Sequence, residues 1–393
     1  MTLEMGKPRD EARGEVRYAA EFFRWFSGEA VRLDGHFGHT PDGASRAMVL
    51  AQPVGMVLKP APQTLLSSLA LAAILVEAGL PDGVLNVVTT MRAGDLVEPI
   101  LKGGDIRKLS FTGSTAVGRL LLEQAGSAVV KTSMELGGNA PFTVLDDADL
   151  DRAVEGALAA KTRNMGEACT AANRFFVHES VAKDFARKLA ERMGALVVGP
   201  GLEPATQVGP LIDAPSLAKV SALVDDAVGR GARCVVGGTP VNTPGYFFNP
   251  TVLVDVRPDS ELCGTESSGR SRPSRPSATS MRPSAGPMTR NGGSSATSSP
   301  RTWTGRSPFR RRSRSAWGDS TRAWSRTRRR RSAGIKQSGL GREGGRQGIE
   351  EFLEQKLIVM PHRRTYSTRP MYSKYPFRTP MSGRRKFERE EQR

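Results

Sequence analysis

Glu135 and Cys169 are the residues of this sequence whose types and surroundings best suit joint chemistry. Glu135 opens the run Glu135-Leu136-Gly137-Gly138, and Cys169 closes Gly166-Glu167-Ala168-Cys169, so small residues flank both. A thiol attacks as its thiolate, and a carboxylate within one water of it can act as general base. Taken alone, such a pair is more often a buried inert thiol and a solvated acid. The elements that carry the two residues must decide.

Those elements alternate. Apolar spacing predicts a helix over 10–34, strands over 47–51 and 56–58, and a buried helix from Thr64 to Gly79. A strand at 84–88, a helix at 96–101, a strand at 108–111, a helix at 115–124 and a strand at 129–133 follow. Such alternation marks a parallel sheet with helical crossovers. Beyond it, helices are expected over 148–165, 181–193 and 217–231, a strand ending at 177, and strands at 232–236 and 247–256. The turn Phe111-Thr112-Gly113-Ser114-Thr115-Ala116-Val117-Gly118 lies between a strand and a helix. It suits a phosphate at a helix N-terminus, or equally a plain helix cap.

Composition excludes several classes. The 393 residues suffice for two or three domains. Three cysteines (Cys169, Cys234, Cys263) without CxxC spacing argue against a disulfide framework and a metal site, and fit a reducing cytoplasm. No apolar core follows Met1, so no secretory signal is expected, and the apolar run in 65–78 is too short to span a membrane. The net charge of +17 is local: from Ser267 to Gly334 there are seventeen arginines against one acid, Asp319. The same tract lacks Leu, Ile and Val, so disorder is expected there. A short helix at 349–355 and a loose basic tail close the chain.

Five segments in order resemble the aldehyde dehydrogenase superfamily, and within it the succinate-semialdehyde dehydrogenases. They are Thr2–Val16, Phe111–Gly118, Met134–Pro141, Lys161–Arg174 and Lys336–Lys356. The resemblance covers 1–263 and 335–359. It implies an α/β fold with a parallel-sheet cofactor domain and an α/β catalytic domain. On that pattern 1–134 is a remnant of the NAD(P)-binding domain and 135–264 a partial catalytic domain. The disordered basic insert spans 265–334, the family's closing motif 335–360, and the tail 361–393.

The resemblance also implies roles. Cys169 is the nucleophile that forms a thiohemiacetal and then a thioester with an aldehyde, and Glu135 is the base that activates the hydrolytic water. Gly113, Ser114 and Gly118 belong to the cofactor turn, Leu136 lies near the nicotinamide, and Lys59 contacts the adenosine ribose or its phosphate. Pro62 stands where many NAD-using members carry a ribose-binding glutamate, which favours NADP over NAD. Arg163 matches an arginine that binds the substrate's distal carboxylate. The implied reaction is oxidation of succinate semialdehyde to succinate, as in 4-aminobutyrate degradation.

Three departures lead to an expectation of impaired or absent activity. The match begins inside the family pattern, so an N-terminal truncation is expected. Gly55 runs directly into Met56-Val57-Leu58-Lys59, omitting the family's strand, loop and helix with the oxyanion-binding asparagine. The tract 267–334 replaces the Glu-Ile-Phe-Gly-Pro-Val segment, including the strand exchanged between subunits, which argues against the family's homo-oligomer. Ser267–Ser274 can be produced by reading GC-rich codons for Ile-Phe-Gly-Pro-Val-Ala-Pro-Val in another phase, so the tract is expected to be out-of-frame translation. The competing readings are an inactive product of a degraded or misread gene, and nonspecific nucleic-acid binding. The latter would use Arg310–Arg314 and Arg328–Arg331, with Trp303, Trp317 and Trp324 stacking on bases.

Overall fold

The computed structural model describes residues 1–138, 140–264 and 334–361, with short strands at 278–283, 292–293, 296–298 and 318–319. The rest of the tract expected to be disordered, its arginine clusters and three tryptophans, and the tail beyond 361 lie outside the described residues. Two units are distinguished: Met1–Asp34 with Ala51–Gln355, and Gly35–Leu50 with the chain from Lys356 onward.

The smaller unit is built on a hairpin. Strands β1 (His36–His39) and β2 (Ser45–Pro53) pair antiparallel, and β17 (Leu353–Pro361) joins the β2 edge. Thr40 shapes the turn: its hydroxyl takes the Ser45 N–H at 3.0 Å, and Gly43 supplies a φ of +67°.

The larger unit opens with a one-turn helix α1 (Thr2–Met5) and the long helix α2 (Arg9–Ala30). Strand β3 (Met56–Leu58), helix α3 (Leu65–Glu77) and β4 (Leu85–Val87) follow, then α4 (Ala93–Gly103), β5 (Lys108–Gly113), α5 (Thr115–Ser127) and β6 (Lys131–Leu136). β3 and β4 form a two-stranded parallel sheet, separate from the three-stranded sheet β16-β6-β5. Here β16 is Gly339–Leu340. The buried helix expected over 64–79 forms, but none of its residues is buried. Leu66, Ile74 and Val76 are each more than half exposed. The physical reason is area: two three-residue strands cannot cover an apolar helix.

The part of the larger unit from residue 140 onward is better packed. After β7 (Ala140–Val144) come α6 (Leu150–Thr162), β8 (Ala172–Val177), α7 (Glu179–Gly194), α8 (Ala214–Gly229), β9 (Arg233–Val236), β10 (Thr251–Val254) and the turn α9 (Glu261–Gly264). Strands β11 (Ala278–Pro283), β12 (Gly292–Gly293), β13 (Ala296–Ser298), β14 (Gly318–Asp319) and β15 (Ile335–Lys336) complete the set. The main sheet runs β14-β13-β7-β8-β11-β10-β9, and β12 pairs with β15. Period-2 burial on β7 and β8 sends Phe142, Val144, Phe175 and Val177 into one core. Phe185, Leu189 and Met193, four apart on α7, cover it. The rings of Phe142, Phe175 and Phe185 lie 5.2–6.5 Å apart. A second core joins Val220, Leu223 and Val224 of α8 to Phe248 and Leu253.

Two predicted boundaries move. The helix expected over 148–165 stops at Thr162, because Asn164, Met165 and Gly166 turn left-handed at φ 49°, 54° and 86°. The expected helix at 349–355 is a 3₁₀ turn over Arg346–Phe352 that gives way to β17. Among the described residues, no helix is long and apolar enough to cross a membrane.

Candidate active site

The β5–α5 turn is organised by backbone needs. Ser114 caps α5, its hydroxyl accepting the Val117 N–H at 3.4 Å. Gly118 is a packing glycine: a Cβ there would sit 2.4 Å from the Leu136 side chain. Gly113 stands beside Leu136 in the β5–β6 register. The turn therefore brings Gly113, Ser114, Gly118 and Leu136 together, and leaves the N-terminal amides of α5 to serve an anion. Gln337 borders it, with its carbonyl 3.4 Å from the Thr115 hydroxyl and its side-chain oxygen 2.7 Å from Arg119.

Glu135 lies half-buried on β6, opposite Thr112 of β5 and Gly339 of β16. Gly339 has φ +146°, and a Cβ there would come within 2.1 Å of the Met134 carbonyl, so only glycine fits. The Leu136 N–H donates to the Ser338 carbonyl at 2.9 Å. This close apposition brings Glu343 into the field of Glu135. Burial, reinforced by the Glu343 charge and opposed by Arg342, raises the Glu135 carboxyl to about 7. A carboxyl held there exchanges a proton readily near neutrality. Glu343 is the residue that the motif reading overlooked; the signal was an acid two positions beyond a glycine that packs on β6.

Cys169 is exposed. It sits in a turn closed by the Ala171 N–H on the Ala168 carbonyl at 2.9 Å. The left-handed turn 164–166 precedes it, and the Glu167 N–H donates back to the Asn164 carbonyl at 2.8 Å. Arg163, at the start of this loop, lies over the Tyr18 ring of α2, 5.6 Å from its centre. Burial lowers the Arg163 pKa, while Tyr18, Cys169, Glu15 and Glu11 act to raise it. Arg163 and Cys169 thus share one electrostatic environment, and Glu135 has another formed by Glu343 and Arg342.

Lys59 follows β3, apart from the β5–β6 sheet. Its ammonium donates to the Pro60 carbonyl at 2.7 Å, and burial lowers its pKa. No acid pairs with it among the described residues. A half-buried cation without a carboxylate partner suits a phosphate.

A sequence model of the aldehyde dehydrogenase family matches residues 1–58 and 56–269. The chain belongs to this family. Succinate-semialdehyde dehydrogenase of Paenarthrobacter nicotinovorans is 53% identical over 294 residues, 68% of this chain and 65% of that protein. The NADP(+) succinate-semialdehyde dehydrogenase of Escherichia coli is 45% identical over 299 residues, 68% of this chain and 61% of that one. The chain therefore spans less than two thirds of these relatives. The solved succinate-semialdehyde dehydrogenase from Burkholderia pseudomallei superposes with TM-score 0.83 at 37% identity, over 92% of this chain and 80% of that one.

One acid in the aldehyde dehydrogenase loop carries a pH signature. Glu167 is buried two residues before Cys169, and its Oε1 has no hydrogen-bond partner. Burial raises its carboxyl to about 8, with Glu11 and Asp213 acting the same way and Lys7 and Lys161 opposing. Its folded pKa exceeds the ordinary 4.5, so the folded state retains a proton that the unfolded chain releases. The stability this group contributes is full below about 4.5 and is lost as pH rises to about 8. Glu167→Gln should abolish that decline. In thermal unfolding at the two ends of the window, the glutamine variant should exceed the parent at the alkaline end by roughly 2–8 °C.

Proposed function

We propose that this chain carries the machinery of an NADP-dependent succinate-semialdehyde dehydrogenase, working well below the rate of a complete family member. The observation that carries the reading is the loop from Arg163 to the exposed Cys169, on which the guanidinium lies over Tyr18 and within the electrostatic reach of the thiol. The Cys169 thiolate adds to the aldehyde carbon while Arg163 holds the distal carboxylate. The nicotinamide dinucleotide, when bound, supplies the hydride acceptor. Loss of hydride leaves a thioester on Cys169, and Glu135 takes a proton from the water that cleaves it to succinate. Lys59 and the α5 N-terminus hold the cofactor's phosphates. The segment missing between Gly55 and Met56 would include an oxyanion donor, and loss of one such donor costs about 10²–10³ in rate.

Arg163→Ala tests the substrate assignment. It should raise KM for succinate semialdehyde roughly 10²-fold, as expected for a lost charge-assisted pair, and leave KM for butanal nearly unchanged, while any loss of thiolate lowers kcat on both aldehydes alike. An equal change in KM for both aldehydes would remove the carboxylate role. Lys59→Ala should weaken NADP more than NAD, by roughly tenfold in the ratio of KM values, the cost of one charged hydrogen bond. An unchanged ratio would exclude a 2′-phosphate contact.

A second reading, a gene product without turnover, is supported by where the family match breaks. The two matched segments meet at 56–58, and the second stops at residue 269, just inside the arginine tract. Sequencing the gene through codons 260–336 decides whether that tract is out-of-frame: another reading frame encoding the family's segment is the expected result.

A further inference from the structure

The first turn of α2 reaches the loop that carries Cys169. Glu11, half-buried in that turn, accepts the backbone N–H of Asn164. Asn164 begins the left-handed run, and neither it nor Met165 is glycine. Non-glycine residues in this conformation carry a backbone penalty, so the turn persists only where its surroundings hold it. The surroundings are well fixed. The Arg9 N–H donates to the Gly201 carbonyl at 3.0 Å, and Lys7 is buried and paired with Glu15. Gly209 leaves room for both the Gly6 carbonyl and the Met165 sulfur: a Cβ there would lie 2.2 and 2.8 Å from them. Tyr18, two turns along α2, lies against Arg163 from the same helix.

We propose that Glu11 is a positioning residue for the nucleophile, acting through the Asn164 N–H to hold the turn that presents Arg163 and Cys169 together. The Asn164 N–H is fixed by Glu11, the Asn164 carbonyl by the Glu167 N–H, and Cys169 follows in the next closed turn. The proposal rests on Cys169 being the reactive thiol of the proposed function. Releasing Asn164 lets the turn relax toward ordinary backbone angles, which moves Arg163 away from the sulfur and reduces its thiolate character.

Alkylation by iodoacetamide on the full chain, followed across pH by mass spectrometry of each cysteine peptide, provides the test. It requires neither aldehyde nor nucleotide, so its failure is distinct from a failed dehydrogenase assay. Glu11→Gln and Glu11→Ala both remove the charge, but only glutamine keeps an acceptor oxygen. The alanine variant should label Cys169 about threefold to tenfold more slowly than the glutamine variant near neutral pH, the range of one ordinary hydrogen bond. Its pH midpoint should rise, and Cys234 and Cys263 should keep their parental rates. Equal Cys169 rates and midpoints in the two variants would overturn the proposal. So would faster labelling of Cys263 and Cys234 together with Cys169 in the alanine variant, which would assign Glu11 to the whole fold.

Discussion

Cys169→Ala is expected to abolish aldehyde-dependent formation of reduced nucleotide, whatever residual rate the parent chain has. Removal of the nucleophile from a covalent mechanism costs about 10⁶ in kcat in well-studied cases, far more than any neighbouring group can replace. The control is built into the molecule. Cys234 is also exposed, on the edge strand β9, but burial raises its thiol pKa and it donates to the Val236 carbonyl at 3.3 Å. A thiol held protonated is a poor nucleophile. Cys234→Ala should therefore leave turnover unchanged. Continuous assay of the two variants against the parent gives the comparison.

Glu135→Gln should act differently. The first step needs only the thiolate, so one equivalent of reduced nucleotide should still form rapidly. Hydrolysis of the thioester should then slow by about 10²–10⁴, the usual worth of a general base. The pH dependence follows from the environment of the carboxyl. Burial and Glu343 raise Glu135 to about 7, and the proposed base role requires the ionised form, so steady-state turnover should rise as pH passes through about 7. Glu343→Gln removes a charge that raises Glu135, so the same limb should move to lower pH. The glutamine variant at 135 should lose the limb. Rapid-mixing measurements of burst and steady state separate the two phases.

Much of this was legible in the residues. The α/β alternation from β3 to β6 follows from apolar periodicity, and β3 forms over the three residues expected. Glu135, Cys169 and the closing glycines were found because their spacing and order resemble a known family. Other features required tertiary information. The fate of α3 depends on the area of the sheet beside it, which its own apolar sequence does not encode. The end of α6 at Thr162 has a local signal in Asn164 and Gly166, but Met165 also turns left-handed, and the contacts of Glu11 and Gly209 on this turn come from more than forty residues away on either side. Glu343 and Glu11 read as ordinary surface acids until backbone packing brings each to the site. Strands β11, β13 and β14 join the main sheet from a tract whose composition alone predicts disorder.

The proposed function pairs the thiol of Cys169 with the carboxyl of Glu135. It is tested most directly by mixing the Glu135→Gln chain with succinate semialdehyde and NADP, then mapping the peptides by mass. A succinyl thioester on the Cys169 peptide, formed with one equivalent of NADPH and absent from Cys169→Ala, is the expected result. A Cys169 peptide that remains unmodified, or an acyl group found on Cys234, would contradict it.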